Sequence, residues 1–403
     1  MSSAQEVSII GQGYVGLPLA IAAANAGWKV NGIEVDLRRF ETIVSGISPI
    51  EDVSNDVLGL ALRSGNYTVN KEFSTISNSS VIVICVPTPL LQDRSPDLSA
   101  IHAVVREIAL NAQDECLIIS ESTSYPGTLR NEIEKVLSQL RPGNQMHFVA
   151  APERVDPGNT QFSHINTPRI IGGTTTNGTI LASKFYKSFT HEVIICDTPE
   201  IVEMAKLLEN SFRLVNIALV NELSEVCHKS DIDIWKVIAA AKSKPYGFMP
   251  FYPGLGIGGH CIPIDPAYLA YFADQFDSKV KIIETSLFEM NSKIKKVTQI
   301  ISSRFKRDAS ISVIGLGYKM NSKDLRESPS IELIQELKKL GFQTSWLDPN
   351  ILNWEGEEIK VPKHEDAIVY VLPYLDKDQL REFGGLILDC TGILRDLPNA
   401  ISI

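Results

Sequence analysis

Residues 7–36 read VSII-GQGYVG-LPLAIAAANAG-WKVNGIEVD, and this stretch decides the fold. An apolar run, VSII (7–10), ends in Gly11-Gln-Gly13-Tyr14-Val15-Gly16. A helix-like stretch, Leu17–Gly27, follows, and then a second apolar run, WKVNGI (28–33). Strand, glycine turn, helix and strand form one βαβ unit of a parallel sheet. In such a turn Gly11 allows the tight bend, Gly13 lets backbone approach a pyrophosphate, and Gly16 lets helix pack close on strand. The helix N-terminus favours phosphate charge. An acidic residue should end the second strand to bond a ribose, and Glu34 stands there, with Asp36 two residues on. A carboxylate at that place repels a 2′-phosphate, so the pattern asks for NAD rather than NADP.

Outward from this unit, further apolar runs recur at VIVICV (81–86), CLIIS (116–120), HFVA (147–150) and EVII (192–195). They are continuously apolar, as parallel strands covered on both faces are. After Thr198-Pro199 the texture changes. Residues 200–229 contain neither Pro nor Gly and predict one long helix. Helical stretches follow at 231–242 and 265–302, separated by a Gly/Pro-rich, aromatic loop, KPYGFMPFYPGLGIGGHCIPIDP (244–266). An apolar loop of this kind reads as a binding loop rather than a linker. From Ile311 the βαβ texture returns, with SVIGLG (312–317), a helix over 328–341, FQTSWLD (342–348), AIVYVL (367–372) and GLILDC (385–390). The expected fold is α/β. Two Rossmann-like, doubly wound parallel-sheet domains (1–198 and 306–403) are joined by a long central helix in a helical middle domain (199–305). A cleft between two such domains is where a ligand is expected.

The chain of 403 residues has 38 Lys+Arg against 48 Asp+Glu, a net charge of −10. An acidic surface of this kind argues against nucleic acid or anionic membrane as partner. No apolar run is long enough for a spanning helix, and the N-terminus lacks the basic start of a signal peptide. The six cysteines are scattered without a CxxC pair, so no zinc site or disulfide framework is expected, and a reducing cytoplasm fits.

Other motifs carry chemistry. Thr88 in VPTP (86–89), Thr123 in ESTSYPG (121–127) and Glu153 with Arg154 in APER (151–154) each follow a strand. Polar residues at one carboxyl edge of a parallel sheet are placed for ligand. Lys206 and Asn210 are four apart on the long helix and share a face, where they could steady one substrate oxygen. In Gly254-Leu-Gly256-Ile-Gly258-Gly259-His260-Cys261 a glycine-dense turn delivers a thiol to a helix start, which favours the nucleophilic thiolate. Asp265 shares its face if the helix begins at Cys261. A second glycine turn, Gly315-Leu-Gly317, lacks a third glycine but brings Lys319 and Arg326 toward anionic ligand. Tyr67-Thr-Val-Asn-Lys71 has a YxxxK spacing, but in a polar, turn-like stretch it reads as chance.

Taken together, these residues resemble the nucleotide-sugar 6-dehydrogenases that act on UDP-glucose, UDP-N-acetylglucosamine and UDP-N-acetylmannosamine. The resemblance runs from GQGYVGLPLA through APERVDPGN, EMAKLLENSFRLVNIALVNEL and PGLGIGGHCIPIDP to GLGYKMNSKDLRESPS. The loop 244–266 looks most like the UDP-N-acetylglucosamine members, so that substrate is expected first, UDP-N-acetylmannosamine second and UDP-glucose third. The resemblance implies two successive NAD-dependent oxidations of a C6 alcohol, to the aldehyde and then to the uronic acid. Cys261 would hold a thiohemiacetal and then a thioester. Lys206 would stabilise the oxyanion with Asn210, Thr123 and Asp265 would position water, and Glu153 would act as acid or base. Gly11, Gly13, Tyr14, Val15, Gly16, Glu34, Asp36, Thr88 and Arg326 would hold NAD. Arg154, Tyr252, Gly256 and Lys319 would hold the UDP-sugar. The family's usual Asp-x-Arg-Gly is here Asp389-Cys-Thr391-Gly392, with Arg395 close by. The resemblance also implies a homodimer or dimer of dimers built on helix 200–229, and a product used for surface polysaccharide. A non-catalytic NAD or UDP-sugar sensor is the rival from another class. A single-step dehydrogenase of the 3-hydroxyacyl or 6-phosphogluconate type is the rival enzyme, but it needs neither Cys261 nor a second α/β domain.

Overall fold

The computed structural model describes residues 5–156, 161–259 and 261–403. The run 7–10 lies in strand β1 (Glu6–Ile10), the glycine turn leads into helix α1 (Gly16–Asn25), and the second run forms β2 (Lys29–Ile33). Six more strands complete the first sheet: β3 (Tyr67–Asn70), β4 (Val81–Ile84), β5 (Leu117–Ser120), β6 (His147–Ala150), β7 (Arg169–Gly173) and β8 (Val193–Ile195). Their order is β3-β2-β1-β4-β5-β6-β7-β8, parallel throughout except for the β6–β7 pair. Helices α2 (Leu37–Val44), α3 (Asn55–Ser64), α4 (Ser99–Asn111), α5 (Lys135–Leu140) and α6 (Thr176–Lys187) connect them.

The strand alternation sorts side chains between two cores. Val7, Ile9, Val81, Val83, Leu117 and Ile119 pack on the α1 side. Ile10, Ile82, Ile84 and Ile118 pack on the α4 side. Both faces are therefore dry, which is why the strands lack a polar alternation. Each such side chain, buried fully, contributes about 1.5–3 kcal/mol. In register, Ile10 pairs with Ile84, Ile84 with Ser120, and Ser120 with Ala150. The turns after β1, β4, β5 and β6 consequently leave the sheet at one edge.

By compactness the chain divides into two units. One holds the residues up to Glu209 with Tyr271–Asp277, the other Asn210–Ala270 with Ser278–Ile403. The long helix α7 (Pro199–Lys229) belongs to both, and the helical middle does not separate from the C-terminal sheet. In the second unit follow α8 (Ile234–Lys242), α9 (Cys261–Asp274), α10 (Lys281–Arg304) and α11 (Pro329–Lys339). The strands there are β9 (Ser310–Ile314), β10 (Gln343–Leu347), a small hairpin of β11 (Asn353–Trp354) and β12 (Glu357–Glu358), then β13 (Ala367–Tyr370), β14 (Leu386–Asp389) and β15 (Ala400–Ser402). The second sheet is parallel, ordered β10-β9-β13-β14-β15.

Three expectations change. The stretch 265–302 is two helices, because Asp277 takes a left-handed φ of 51° and ends the first. Residues 67–70 are not a turn but the edge strand β3, whose Tyr67 is buried and donates its hydroxyl to Gln12 Oε1 at 2.8 Å. Tyr67 thus supports the sheet edge, while Lys71, exposed just past β3, lies over the Phe40 ring rather than pairing with Tyr67. Strands β7 and β15 carried no clear apolar signal. Among the described residues, no helix is long and apolar enough to cross a membrane, and no cluster of side chains could hold a metal.

Candidate functional site

The glycine turn after β1 shows what each glycine does. Gly11 has φ 93°, and a Cβ there would lie 2.5 Å from the Cys85 carbonyl oxygen. A Cβ on Gly16 would meet the Gly11 carbonyl oxygen at 1.8 Å. These two are required by the chain's own packing. A Cβ on Gly13 would touch nothing within 4 Å. Gly13 is therefore small for the sake of something other than the chain, and the open space beside it fits a pyrophosphate at the start of α1. Tyr14 and Val15 complete the turn, and the Tyr14 hydroxyl reaches Glu51. Glu34 ends β2 buried, accepting the Gln12 amide at 3.0 Å, the Asp36 amide at 2.8 Å and Arg39 at 3.1 Å. A carboxylate has about four acceptor sites, so one remains for a ribose hydroxyl. Asp36 also serves the fold, because its side chain caps α2 through the Arg39 amide.

At the same edge the turns after β4 and β5 hold one another. The Thr88 hydroxyl donates to the Thr123 carbonyl at 2.7 Å, and Ser122 Oγ donates to the Val86 carbonyl at 2.8 Å. After β6, Glu153 is gripped on both oxygens. Oε1 accepts the amides of Arg154 and Val155, and Oε2 faces Arg169 at 2.9 Å and His164 at 3.0 Å. Burial alone would raise its carboxyl, but Arg169 and His164 win and hold it well below the usual carboxylate range. As built, Glu153 is an ionised acceptor, suited to orienting a donor or taking a proton and unsuited to giving one. The Arg154 guanidinium is committed to Glu209, at 2.6 and 3.2 Å, and to the Pro168 carbonyl.

Lys206 lies on α7, is 7% exposed, and has no ion pair or hydrogen-bond partner among the described residues. Asn210 is one turn further along the same helix, within the second unit. Its side-chain amide donates to the Asp265 carboxylate. Helix α9 begins at Cys261, so Cys261 and Asp265 are four apart on one helix, the thiol exposed and the carboxylate buried. The glycine-rich loop before it lies flush on the second glycine turn. A Cβ on Gly256 would meet Pro329 at 3.0 Å, and one on Gly258 would meet Tyr318 at 2.4 Å. The Gly259 amide donates to the Arg326 carbonyl at 3.0 Å. Tyr252 stacks on Trp235, with centroids 5.5 Å apart. Arg326 is held bidentately by Asp324. Lys319 sits in the second glycine turn and is half-buried. That turn is closed: a Cβ on Gly317 would lie 3.0 Å from the Ser322 carbonyl oxygen, and Asp348 accepts the amides of Leu316 and Gly317. Only the first glycine turn keeps room for a dinucleotide. Thr391 Oγ1 donates to Asp389, whereas Arg395 lies 3.5 Å from Asp233 and donates to the Gly392 carbonyl.

Sequence reasoning passed over a buried charge cluster. Arg169 on β7 pairs with Glu121 at 3.1 Å as well as with Glu153, and its guanidinium lies 4.8 Å from the Tyr186 ring centre. The Tyr186 hydroxyl donates to Glu121 at 2.5 Å. Burial pushes the Glu121 carboxyl up, although Arg169 opposes it. No local spacing announces this cluster. The nearest signal is Glu121 itself, a buried charged residue directly after the buried strand Leu117–Ser120. His260, the residue before the thiol, lies outside the described residues, as do 157–160 of APERVDPGN.

Residues 5–190 match the NAD-binding domain of the UDP-glucose/GDP-mannose dehydrogenase family, 200–293 its central domain and 312–388 its UDP-binding domain. A UDP-N-acetyl-D-mannosamine dehydrogenase of Pyrococcus horikoshii is 33% identical over 377 residues, 90% of this chain and 88% of that one. A solved structure of a UDP-D-ManNAc dehydrogenase from the same organism aligns with a TM-score of 0.87 at 28% identity, covering 96% of this chain and 95% of that one. An NDP-N-acetyl-D-galactosaminuronic acid dehydrogenase of Ralstonia nicotianae is 33% identical over 344 residues, 82% of this chain and 79% of that one.

Proposed function

The chain belongs to the UDP-glucose/GDP-mannose dehydrogenase family and is an NAD-dependent oxidoreductase of UDP-sugars, and from that premise we propose that it oxidises the C6 alcohol of UDP-N-acetylmannosamine to the uronic acid. The expectation of UDP-N-acetylglucosamine rested on one loop. Relatives aligned along most of the chain favour the manno sugar instead. UDP-N-acetylglucosamine stays the second reading, on the character of loop 244–266.

The chemistry needs four electrons removed from one carbon. Hydride acceptance, once per oxidation, is what NAD supplies when bound, held by Gly11, Gly13, Tyr14, Val15, Gly16, Glu34, Asp36, Thr88 and Arg326. Cys261 sulfur adds to the aldehyde carbon, and the resulting thiohemiacetal is oxidised to a thioester. Water then displaces the sulfur and releases the acid. The Lys206 ammonium stabilises the oxyanion of each tetrahedral stage, with Asn210 as its helper, its amide tied to Asp265 on the thiol's helix. Thr123 and Asp265 position the water, and ionised Glu153 orients it. Tyr252, Gly256, Lys319 and Arg154 serve the UDP-sugar. The observation that carries the reading is Lys206, a buried ammonium unpaired among the described residues, as a group awaiting substrate charge would be.

The test is NADH formed from a limiting amount of each UDP-sugar in excess NAD, run to completion. Two NADH per UDP-N-acetylmannosamine, and slower turnover of the gluco sugars, is the expected result. The Cys261→Ala variant should fail to reach two. One NADH would reduce the protein to an alcohol dehydrogenase and remove Cys261 from the mechanism. Faster oxidation of UDP-N-acetylglucosamine would reinstate the second reading. The uronate product is a glycosyl donor fitted to surface polysaccharide synthesis. Scattered cysteines without a CxxC pair suit a reducing cytoplasm.

A further inference from the structure

Glu203 stands on α7 three residues before Lys206, and its carboxylate points away from solvent into the loop that follows β5. Oε2 accepts the Gly127 amide at 2.6 Å and Oε1 accepts the Leu129 amide at 2.9 Å. These amides stand where the chain leaves the Ser122–Gly127 loop and enters a helical turn, Leu129–Glu134. First-turn amides lack intrahelical acceptors and usually find a side chain of their own segment. Here the acceptor comes from another helix, 76 residues away from Gly127 along the chain. The loop is otherwise tied by Thr88 to the Thr123 carbonyl and by Thr128 to the Tyr125 carbonyl.

We propose that Glu203 is a positioning residue that fastens the Thr123 loop to the turn of α7 bearing Lys206, so that the two groups keep one geometry. The proposal rests on the roles given above to Thr123 and Lys206. Both carboxylate oxygens are used as acceptors, so the tie is strongest in the ionised form. A proton on either oxygen removes the charge and takes one of that oxygen's acceptor sites, which weakens its bond to the backbone N–H. Burial pushes the Glu203 carboxyl up to about 7, opposed by the two amide bonds. The charged and titratable neighbours are Glu200 on α7, Arg130 and Glu134 on the facing helical turn, Tyr125 in the loop and Tyr271 on α9, whose ring lies 5.3 Å from that of Tyr125. The tie therefore closes as pH rises through neutrality and opens as it falls.

The experiment pairs amide hydrogen exchange with kinetics on the full-length enzyme and Glu203→Gln. In the wild type, protection of the Gly127 and Leu129 amides, corrected for intrinsic rates, should rise between about pH 6 and 8. In Glu203→Gln it should be low and flat. The variant's kcat should fall about tenfold to a hundredfold, the cost of small misplacement, with sugar KM within about twofold. Its kcat profile should lose the acid limb near pH 7. Equal protection in the two proteins, or an unchanged pH profile, overturns the proposal. If Glu203→Gln does not fold, the wild-type exchange profile decides: flat protection overturns the tie. A wild type that forms no NADH with any UDP-sugar overturns the functional reading, while the exchange data still judge Glu203 separately.

Discussion

Placing an ammonium where water is scarce, with no paired anion among the described residues, is unfavourable, and Lys206 is placed so. A residue kept at that cost makes a prediction with two opposite signs. Lys206→Met should melt at the same temperature as the wild type or higher, because an unpaired buried charge is removed. Its kcat should fall by about 10²–10³, as when an oxyanion donor is lost. A fall under tenfold in kcat would make Lys206 structural. Glu153 and Glu121 show the same scale from the opposite side. Both are buried beside Arg169, yet Glu153 is held low while Glu121 is held high. The difference is in the partners: Glu153 has His164 and two backbone amides beside the shared guanidinium, and Glu121 has a tyrosine hydroxyl.

Among the elements, α7 says most about assembly. Its 31 residues span about 46 Å at ~1.5 Å each. Ile201, Leu208, Phe212, Leu219, Leu223 and Val226 remain 43–63% exposed along it. Their spacing, seven or four residues then three, keeps one stripe of the helix apolar. An exposed stripe of that length is where an interface is expected, and the expected occupant is a second copy through α7. The wild type should sediment at twice 44.5 kDa or a multiple of it. Leu219→Glu with Leu223→Glu should shift it toward the monomer. A monomeric wild type at micromolar concentration would count against the dimer. The helix was legible from an unbroken stretch free of Pro and Gly. The stripe was not, because heptad-like apolar residues lie on several sides of α7 and only packing shows which side stays bare.

For the whole molecule, the chemistry to test is recognition of the UDP end. Where family members usually have an arginine, Thr391 spends its hydroxyl on Asp389 and supplies no charge. Arg395 is the nearby guanidinium, 44% exposed and fixed by Asp233 and the Gly392 carbonyl. If it serves the nucleotide, Arg395→Ala should raise the sugar KM severalfold with kcat nearly unchanged, the signature of lost uniform binding. An unchanged KM would release Arg395 from that role.

The amino-acid pattern by itself determined what depends on neighbours a few residues apart. The βαβ order, the two glycine turns, the long helix and the delivery of Cys261 to a helix start are all local, set by spacing, backbone freedom and propensity. Tertiary structure decided what depends on residues far apart. The sequence offers a glycine turn directly after an apolar strand at 11–13 and again at 315–317, yet only packing shows that Gly13 faces open space while Gly317 is filled by its own loop. Glu121 meets Tyr186 across 65 residues and Glu203 meets Gly127 across 76. Such contacts form because tertiary packing brings helices α6 and α7 against the turn after β5, and no periodicity within a single βα unit records which side chains will meet there.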